Sequence, residues 1–124
     1  MKFQIVQNWS RQFYWRLVAK NALIIAVGVE SHGTRAECRR AIDYVISAGE
    51  SQFQVYEDFQ RVWRWRLSSA NGQVVAISGE TYVTRQEALA SAALTVGADA
   101  DTPTEILHDS GMMRAVRPLD FTSK

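Results

Sequence analysis

Apolar and polar residues follow the same pattern twice along this chain, at a constant offset of fifty positions. Residues 3–46 align with residues 53–96 without a gap. Identical residues recur in both copies, among them Phe3 and Phe53, Arg11 and Arg61, Trp15 and Trp65, Asn21 and Asn71, and Glu30 and Glu80. A repeat of this length is one supersecondary unit that cannot bury its own apolar face. We therefore expect the two copies to complete one another's core.

Each copy predicts three strands followed by a helix. The clearest strand is in copy two, where Trp63, Trp65 and Leu67 alternate with polar residues. This period of two marks a half-buried strand. The three predicted strands of copy one cover residues 3–7, 13–19 and 23–28. Those of copy two cover residues 53–57, 62–69 and 73–78.

Two capping boxes predict where the helices begin. Thr34 and Thr84 are each followed three positions later by a glutamate. The hydroxyl can accept from the third helical amide while the carboxylate reaches back to the cap. We expect helices over residues 35–47 and 85–96. The helical period predicts inward-facing stripes of Cys38, Ala41, Ile42 and Val45 in the first helix and of Ala88, Leu89, Ala92, Ala93 and Val96 in the second.

The hairpin at Asn71-Gly72 decides which side chains share a sheet face. A two-residue turn there puts Arg66 opposite Ile77, whereas a three-residue loop with a left-handed glycine puts Arg66 opposite Ala76. Only the second register separates apolar from polar side chains, because a slip of one residue exchanges the faces. We therefore predict the three-residue loop. The equivalent Ala22 would then be left-handed, at a cost on the order of 1 kcal/mol.

The repeat ends after Ala98, and the rest of the chain has no counterpart in copy one. Residues 104–108 and 112–117 indicate an extra hairpin, turned at Ser110-Gly111. The 124 residues suffice for one domain. We predict a single domain over residues 1–124, composed of repeat one (3–47), repeat two (53–97) and a C-terminal extension (102–124).

Copy two carries a combination of short motifs that is similar to a known family. In order, these are Trp65-Arg66-Leu67, Ala70-Asn71-Gly72, Ala76, Ser78-Gly79-Glu80 and Tyr82. The combination resembles the YegP-like tandem-repeat proteins, a bacterial and archaeal family of unknown function. The resemblance implies an α+β fold in which two β3-αβ units build one sheet and swap their last strands, and it brings no catalytic residues. In this chain only a few residues separate the first helix from Phe53, so a fourth strand follows copy two alone.

These patterns together predict the architecture. We expect an α+β fold of tandem β-β-β-α repeats with pseudo-twofold symmetry, forming one antiparallel sheet, plus a C-terminal strand or hairpin. Both helices should cover the face that bears Trp15, Leu17, Trp65 and Leu67, because the two copies share the same apolar parity.

Composition argues against several classes of protein, among them membrane-spanning and disulfide-bonded proteins. The chain is 47% apolar and 22% charged, with a net charge of +1, which argues against binding to nucleic acid or membrane by bulk charge alone. The N-terminal residues lack a signal-peptide core, and no apolar run is long enough to span a membrane. One cysteine excludes an internal disulfide. We expect a cytoplasmic protein with no membrane partner.

The sequence gives little support to catalysis. Cys38 lies among arginines at a helix start, where its thiolate could be stabilised, but its counterpart Ala88 favours a buried small residue. His32 takes the place of Tyr82 and should fill the same corner of the fold. No metal-ligand spacing, phosphate-binding loop or nucleophile elbow is present. We expect no catalytic residues, no cofactor and no metal.

The polar face of the predicted sheet is the candidate ligand site. It carries Tyr14, Arg16, Tyr56, Arg64 and Arg66, together called the Arg/Tyr face. Arginines interleaved with tyrosines can neutralise phosphates and stack bases, so one hypothesis is weak binding of single-stranded nucleic acid or another polyanion. The other is a solvated face, with arginine stems lying over Ala26 and Ala76 and with Glu80 neutralising Arg64.

Protein association is the function that the sequence favours. A small fold of two half-filled copies leaves strand edges that can pair into a homodimer or with another protein. Trp9 and Phe59 occupy equivalent loops between the first two strands of each copy. Their exposure would suggest a docking surface, whereas burial would make them part of the core, and the sequence does not decide between the two.

Overall fold

A computed structural model describes residues 1–107 as two repeats of three strands and a helix, followed by one more strand. Copy one contains β1 (Lys2–Gln7), β2 (Phe13–Val18), β3 (Ile24–Gly28) and α1 (Arg35–Ser47). After a short 3-10 turn at Glu50–Gln52, copy two contains β4 (Phe53–Glu57), β5 (Trp63–Ser68), β6 (Val74–Ser78) and α2 (Arg85–Val96). The final described strand is β7 (Thr104–Leu107).

The strands form one seven-stranded sheet in the order β4-β5-β6-β3-β2-β1-β7. Where the six strands of the repeats pair with one another, they are antiparallel, as predicted. β7 runs parallel to β1, so the sheet as a whole is mixed rather than purely antiparallel. β7 confirms the first strand of the predicted C-terminal hairpin. The rest of that predicted hairpin lies outside the described residues. Because β7 follows copy two and pairs with copy one, the strand exchange that the resemblance implied is present in one direction.

The two copies meet at β3 and β6, around a pseudo-twofold axis. Val27 pairs with Ile77, which is its own equivalent in the other copy. On either side, Ala26 pairs with Ser78 and Gly28 pairs with Ala76. Equivalent positions of the two copies therefore make the same pairs across the axis. This pairing joins the six strands of the repeats into one continuous sheet.

Both helices pack on one face of this sheet, as predicted. Trp15, Leu17, Trp65 and Leu67 belong to a single buried cluster that also contains Ile42 of α1 and Ala92 of α2. The caps follow the sequence motifs, since the Thr34 and Thr84 hydroxyls accept from the amides of Glu37 and Glu87. The shared core ties the two repeats together from the helix side.

The register of the β5–β6 hairpin corrects our prediction. The turn is the predicted three-residue loop, with Gly72 at φ +85° and the equivalent Ala22 at φ +70°. A β-bulge between Leu67 and Ser68 then shifts the pairing by one residue, so that Arg66 lies opposite Ile77 and not opposite Ala76. Copy one has the same shift between Leu17 and Val18. A bulge inserts an extra residue and exchanges the faces beyond it, which loop chemistry alone does not reveal.

The inward face of α2 also differs from the predicted stripe. Its buried residues are Ala88, Ser91, Ala92 and Thr95, whereas Leu89 is 39% exposed. Ser91 is buried because its hydroxyl accepts from Nε1 of Trp65 at 2.9 Å and from the hydroxyl of Tyr82 at 2.8 Å. A buried hydroxyl with such partners meets its hydrogen-bonding needs. In α1 the prediction holds for Cys38, Ile42 and Val45, while Ala41 is half-buried.

Gly79 gives a direct test of the packing between the two copies. Its N–H donates to the carbonyl of Ile25 at 3.0 Å, and a Cβ at this position would overlap the backbone carbonyl of Ile24. Backbone cannot rotate away, so Gly79→Ala should lower the free energy of unfolding by about 1–3 kcal/mol. Denaturant unfolding followed by circular dichroism measures this change.

Gly33→Ala is the matched control. A Cβ at Gly33 meets only the end of Glu37 at an ordinary contact distance, and the equivalent residue in copy two is the exposed Val83. We expect a change within about 0.5 kcal/mol for this surface substitution. Equal effects of the two substitutions would contradict the described junction.

Candidate interaction surface

The Arg/Tyr face lies opposite the helices, as predicted, but it is divided. β3 and β6 separate Tyr14 and Arg16 on β2 from the copy-two residues on β4 and β5. The centre of this face holds Val27 and Ile77, because the bulges exchange the faces of β3 and β6. Ala26 and Ala76 are fully buried on the helix side, so the arginine stems do not lie over them as predicted. The structure brings together Tyr56, Arg64 and Arg66.

The arginines of copy two already have partners within the chain. Nε of Arg64 donates to Oδ2 of Asp58 at 2.7 Å, and this contact holds the pKa of the Asp58 carboxyl below its usual value. The carboxylate partner of Arg64 is therefore Asp58 rather than the predicted Glu80. The guanidinium of Arg66 lies 4.9 Å from the centre of the Tyr56 ring. A cation over an aromatic face occupies the surface on which a base would stack.

Arg16 begins a row of hydrogen-bonded side chains that extends across β1 to the edge strand β7. Its Nε donates to Oε1 of Gln4 at 2.6 Å, and Nε2 of Gln4 donates to Oε1 of Glu105 on β7 at 2.8 Å. Lys2 forms an ion pair with the same carboxylate at 3.1 Å. The contacts with Gln4 and Lys2 lower the pKa of Glu105, whereas burial lowers the pKa of Arg16. These groups fasten β7 to β1.

Cys38 lies in the core, and His32 lies at a bridge to β2. Cys38 is fully buried, and burial raises the pKa of its thiol to about 12, so it is not a thiolate at neutral pH. His32 and Tyr82 form equivalent bridges to Phe13 and Trp63, which confirms that His32 fills the corner of the fold that Tyr82 fills. Within residues 1–107, no three His, Cys, Asp or Glu side chains come together in a way that could hold a metal ion.

The two loop aromatics, Trp9 and Phe59, are exposed and do not belong to the core. Trp9 is 74% exposed and Phe59 is 93% exposed. Each loop is held by the side chain that begins it, since Asn8 and Asp58 accept from two loop amides each. β1 and β4 are antiparallel in the sheet order, so the loops that follow them, and with them these two aromatics, lie at opposite ends of the strands. Phe59 lies at the end of the β4–β5 hairpin.

The two equivalent outer strands, β1 and β4, differ in their environment. β1 is covered by β7, and its residues Phe3–Val6 are all buried. The equivalent part of β4 is half-buried or exposed, and among residues 1–107 no strand pairs with its outer side. We call this outer backbone side of Phe53–Glu57 the β4 edge. Its ladder with β5 is free of bulges, and the strand contains no proline or lysine, so it lacks the usual protections of an edge.

The sequence predicts leftover strand edges but does not indicate that β4 forms one of them. The sequence did contain a signal for such an edge, since copy one has no fourth strand. β7, which follows copy two, can pair with only one of the equivalent first strands β1 and β4, so the other is left without it. Gln54 lies on the same face of β4 as Tyr56 and is exposed. Its position at the β4 edge follows from the sheet order, which the sequence alone did not provide.

A groove beside α2 is a second place where the copies differ. It has a volume of about 570 Å³ and lies between the β2–β3 hairpin and α2, with the exposed Leu23, Val83 and Leu94 around it. The equivalent space beside α1 is about 80 Å³ and is lined by Tyr44, which replaces Leu94. The repeats have therefore kept a common frame while their surfaces diverged.

Comparisons with known proteins agree with the fold. The family described as "Domain of unknown function (DUF1508)" matches residues 10–52 and 60–94. The chain is similar to the solution structure of yegP from E. coli, a protein of unknown function, with 20% identity over 88% of this chain and 94% of that one and a TM-score of 0.76. It is also similar to the UPF0339 protein SO3888 from Shewanella oneidensis, with 16% identity, coverage of 86% and 91%, and a TM-score of 0.75.

These matches cover most of the chain, so the protein belongs to the DUF1508 family, and the resemblance to YegP-like proteins is confirmed. No curated protein matches the sequence. Neither helix of the described chain is long and apolar enough to cross a membrane.

Proposed function

We propose that this member of the DUF1508 family is a non-catalytic module that associates with other polypeptide chains by accepting a strand at the β4 edge. The observation that carries this proposal is the contrast between the two pseudo-equivalent strands: β1 is paired with β7, whereas the β4 edge has no strand among residues 1–107. An unprotected edge offers backbone donors and acceptors to a second chain.

A second copy of the chain fits this edge without a charge conflict. At β1, the N–H of Phe3 donates outward to Pro103, so the N–H groups of the equivalent Phe53 and of Val55 point away from β5. Antiparallel pairing of two β4 strands around Val55 places Phe53 opposite Glu57 and Gln54 opposite Tyr56. No like charges face each other in this register, which favours pairing. Phe59, at the end of the same hairpin, adds an exposed aromatic contact.

Val55→Pro tests strand addition. Proline at this position removes an outward N–H and leaves the ladder with β5 intact, so the chain should still fold but lose the ability to pair. We expect light scattering at micromolar concentration to give self-association for the unmodified chain and a monomer for the variant. Val55→Thr keeps the N–H and the shape of the side chain and should still associate. An unmodified chain that remains strictly monomeric would count against a homotypic partner.

Binding of single-stranded nucleic acid or another polyanion at the Arg/Tyr face is the second candidate. Arg16, Arg64 and Arg66 lie on the helix-free face, and within residues 1–107 the hydrogen bonds of their guanidinium groups use only Nε. Their terminal N–H groups could therefore contact phosphates. With so few cations, affinity would be micromolar at best and would fall with salt.

Arg64→Ala/Arg66→Ala separates this candidate from strand addition. Fluorescence anisotropy with a short labelled oligonucleotide at low and moderate salt should give weak binding to the unmodified chain and its loss in the double variant. Arg40→Ala/Arg85→Ala removes the same charge from exposed helix positions and should retain binding. Absence of binding at low salt, or equal losses in both double variants, removes the Arg/Tyr face as a specific site.

A further inference from the structure

The occupied edge of β1 is a template for what the β4 edge binds. β7 lies parallel to β1, with Gln4 opposite Glu105 and Ile5 opposite Ile106. The N–H of Phe3 donates to the carbonyl of Pro103 at 2.8 Å, which begins the ladder. Because β4 is the equivalent of β1 in the other repeat, a parallel strand at the β4 edge would meet the same backbone geometry.

An arginine orients a glutamine amide in the same way at both edges. Nε of Arg16 donates to Oε1 of Gln4 at 2.6 Å, and Nε of Arg66 donates to Oε1 of Gln54 at 2.8 Å. A guanidinium group can only donate, so it fixes the amide oxygen toward the arginine and leaves the amide NH2 free to face an incoming strand.

In copy one this oriented NH2 group has a carboxylate partner. Nε2 of Gln4 donates to Glu105 at 2.8 Å. In copy two, the hydrogen bonds described within residues 1–107 give Gln54 its contact with Arg66 and no acceptor for its NH2 group. Gln54 is exposed, whereas Gln4 is buried. The polar chain that ends on β7 in copy one therefore ends at the β4 edge in copy two.

We propose that the β4 edge binds an extended segment of a partner protein that runs parallel to β4 and carries a glutamate opposite Gln54. This inference rests on the proposed strand addition and concerns a partner protein, which would compete with a second copy of the chain for the same edge. The glutamate takes the place that Glu105 has on β7: its carboxylate accepts from Gln54 and lies near Arg66. A hydrogen bond to a charged group is stronger than one between neutral groups, so the glutamate provides selectivity as well as affinity.

The residues on either side of the glutamate should be apolar. Before Glu105, Thr104 accepts a hydrogen bond from Arg39 at 2.5 Å, but the equivalent of Arg39 in copy two is Leu89, which is partly exposed. An apolar residue suits that environment better than threonine. After the glutamate, the position of Ile106 lies beside the half-buried Val55. The preferred segment is therefore apolar, glutamate, apolar.

Titration with short peptides, followed by nuclear magnetic resonance, tests this partner chemistry. The isotope-labelled full-length chain, at a concentration where it is monomeric, receives millimolar peptide with the sequence of residues 101–107. Two further peptides carry Thr104→Val and Glu105→Lys. We expect shifts in the amide signals of Phe53–Glu57 and in the side-chain amide of Gln54. The Thr104→Val peptide should bind severalfold more tightly, and the Glu105→Lys peptide about tenfold more weakly.

A charge exchange in the protein provides the control. Gln54→Glu should weaken the peptide that contains glutamate and strengthen the Glu105→Lys peptide. Equal shifts with both peptides would overturn the glutamate preference while strand addition stands. If no peptide shifts the β4 signals, or if the shifts are confined to β1, then both the partner chemistry and strand addition at the β4 edge are wrong.

Discussion

The antiparallel pairing of β3 with β6 joins the two repeats of this chain. Around Val27 and Ile77 the two repeats exchange equivalent backbone contacts, and this pairing turns two three-stranded units into one sheet. A three-stranded unit with a helix exposes part of its apolar face, so the shared cluster that contains Trp15 and Trp65 can form only when the sheets are joined. The steric restriction at Gly79 lies beside this junction.

Joining two equivalent units gives two equivalent outer strands, and within residues 1–107 the final strand β7 covers one of them. β7 completes β1 through the ladder that begins at Phe3 and through the contacts of Glu105 with Lys2 and Gln4. Nothing in residues 1–107 does the same for β4. An internal repeat followed by one unmatched strand is therefore asymmetric at its edges although its frame is symmetric. The proposed function is a consequence of this asymmetry.

The sequence predicted those parts of the fold that depend on local chemistry. Capping boxes placed Thr34 and Thr84 at the helix starts, and Asn71-Gly72 gave the correct loop length. The sequence-based predictions were wrong where residues far apart in the sequence determine which side chains are buried. The bulge at Leu67 reversed the faces of Ile77 and Ala76, and Ser91 is buried in place of Leu89 because Trp65 and Tyr82 need its hydroxyl. The five residues of the Arg/Tyr face were placed on the correct side of the sheet, but the partner predicted for Arg64 was wrong and Gln4 and Gln54 were not predicted as partners of Arg16 and Arg66.

Amide hydrogen exchange of the dilute full-length chain tests most directly whether β7 fills the β1 edge while the β4 edge has no strand among residues 1–107. The N–H groups of Phe3 and Ile5 face β7, and those of Phe53 and Val55 face away from β5. Amides bonded in a sheet exchange slowly, whereas unpaired edge amides exchange quickly. We expect strong protection of Phe3 and Ile5, with fast exchange of Phe53 and Val55 that slows when a partner strand is added. Equal protection of all four amides in the isolated monomer would contradict this expectation.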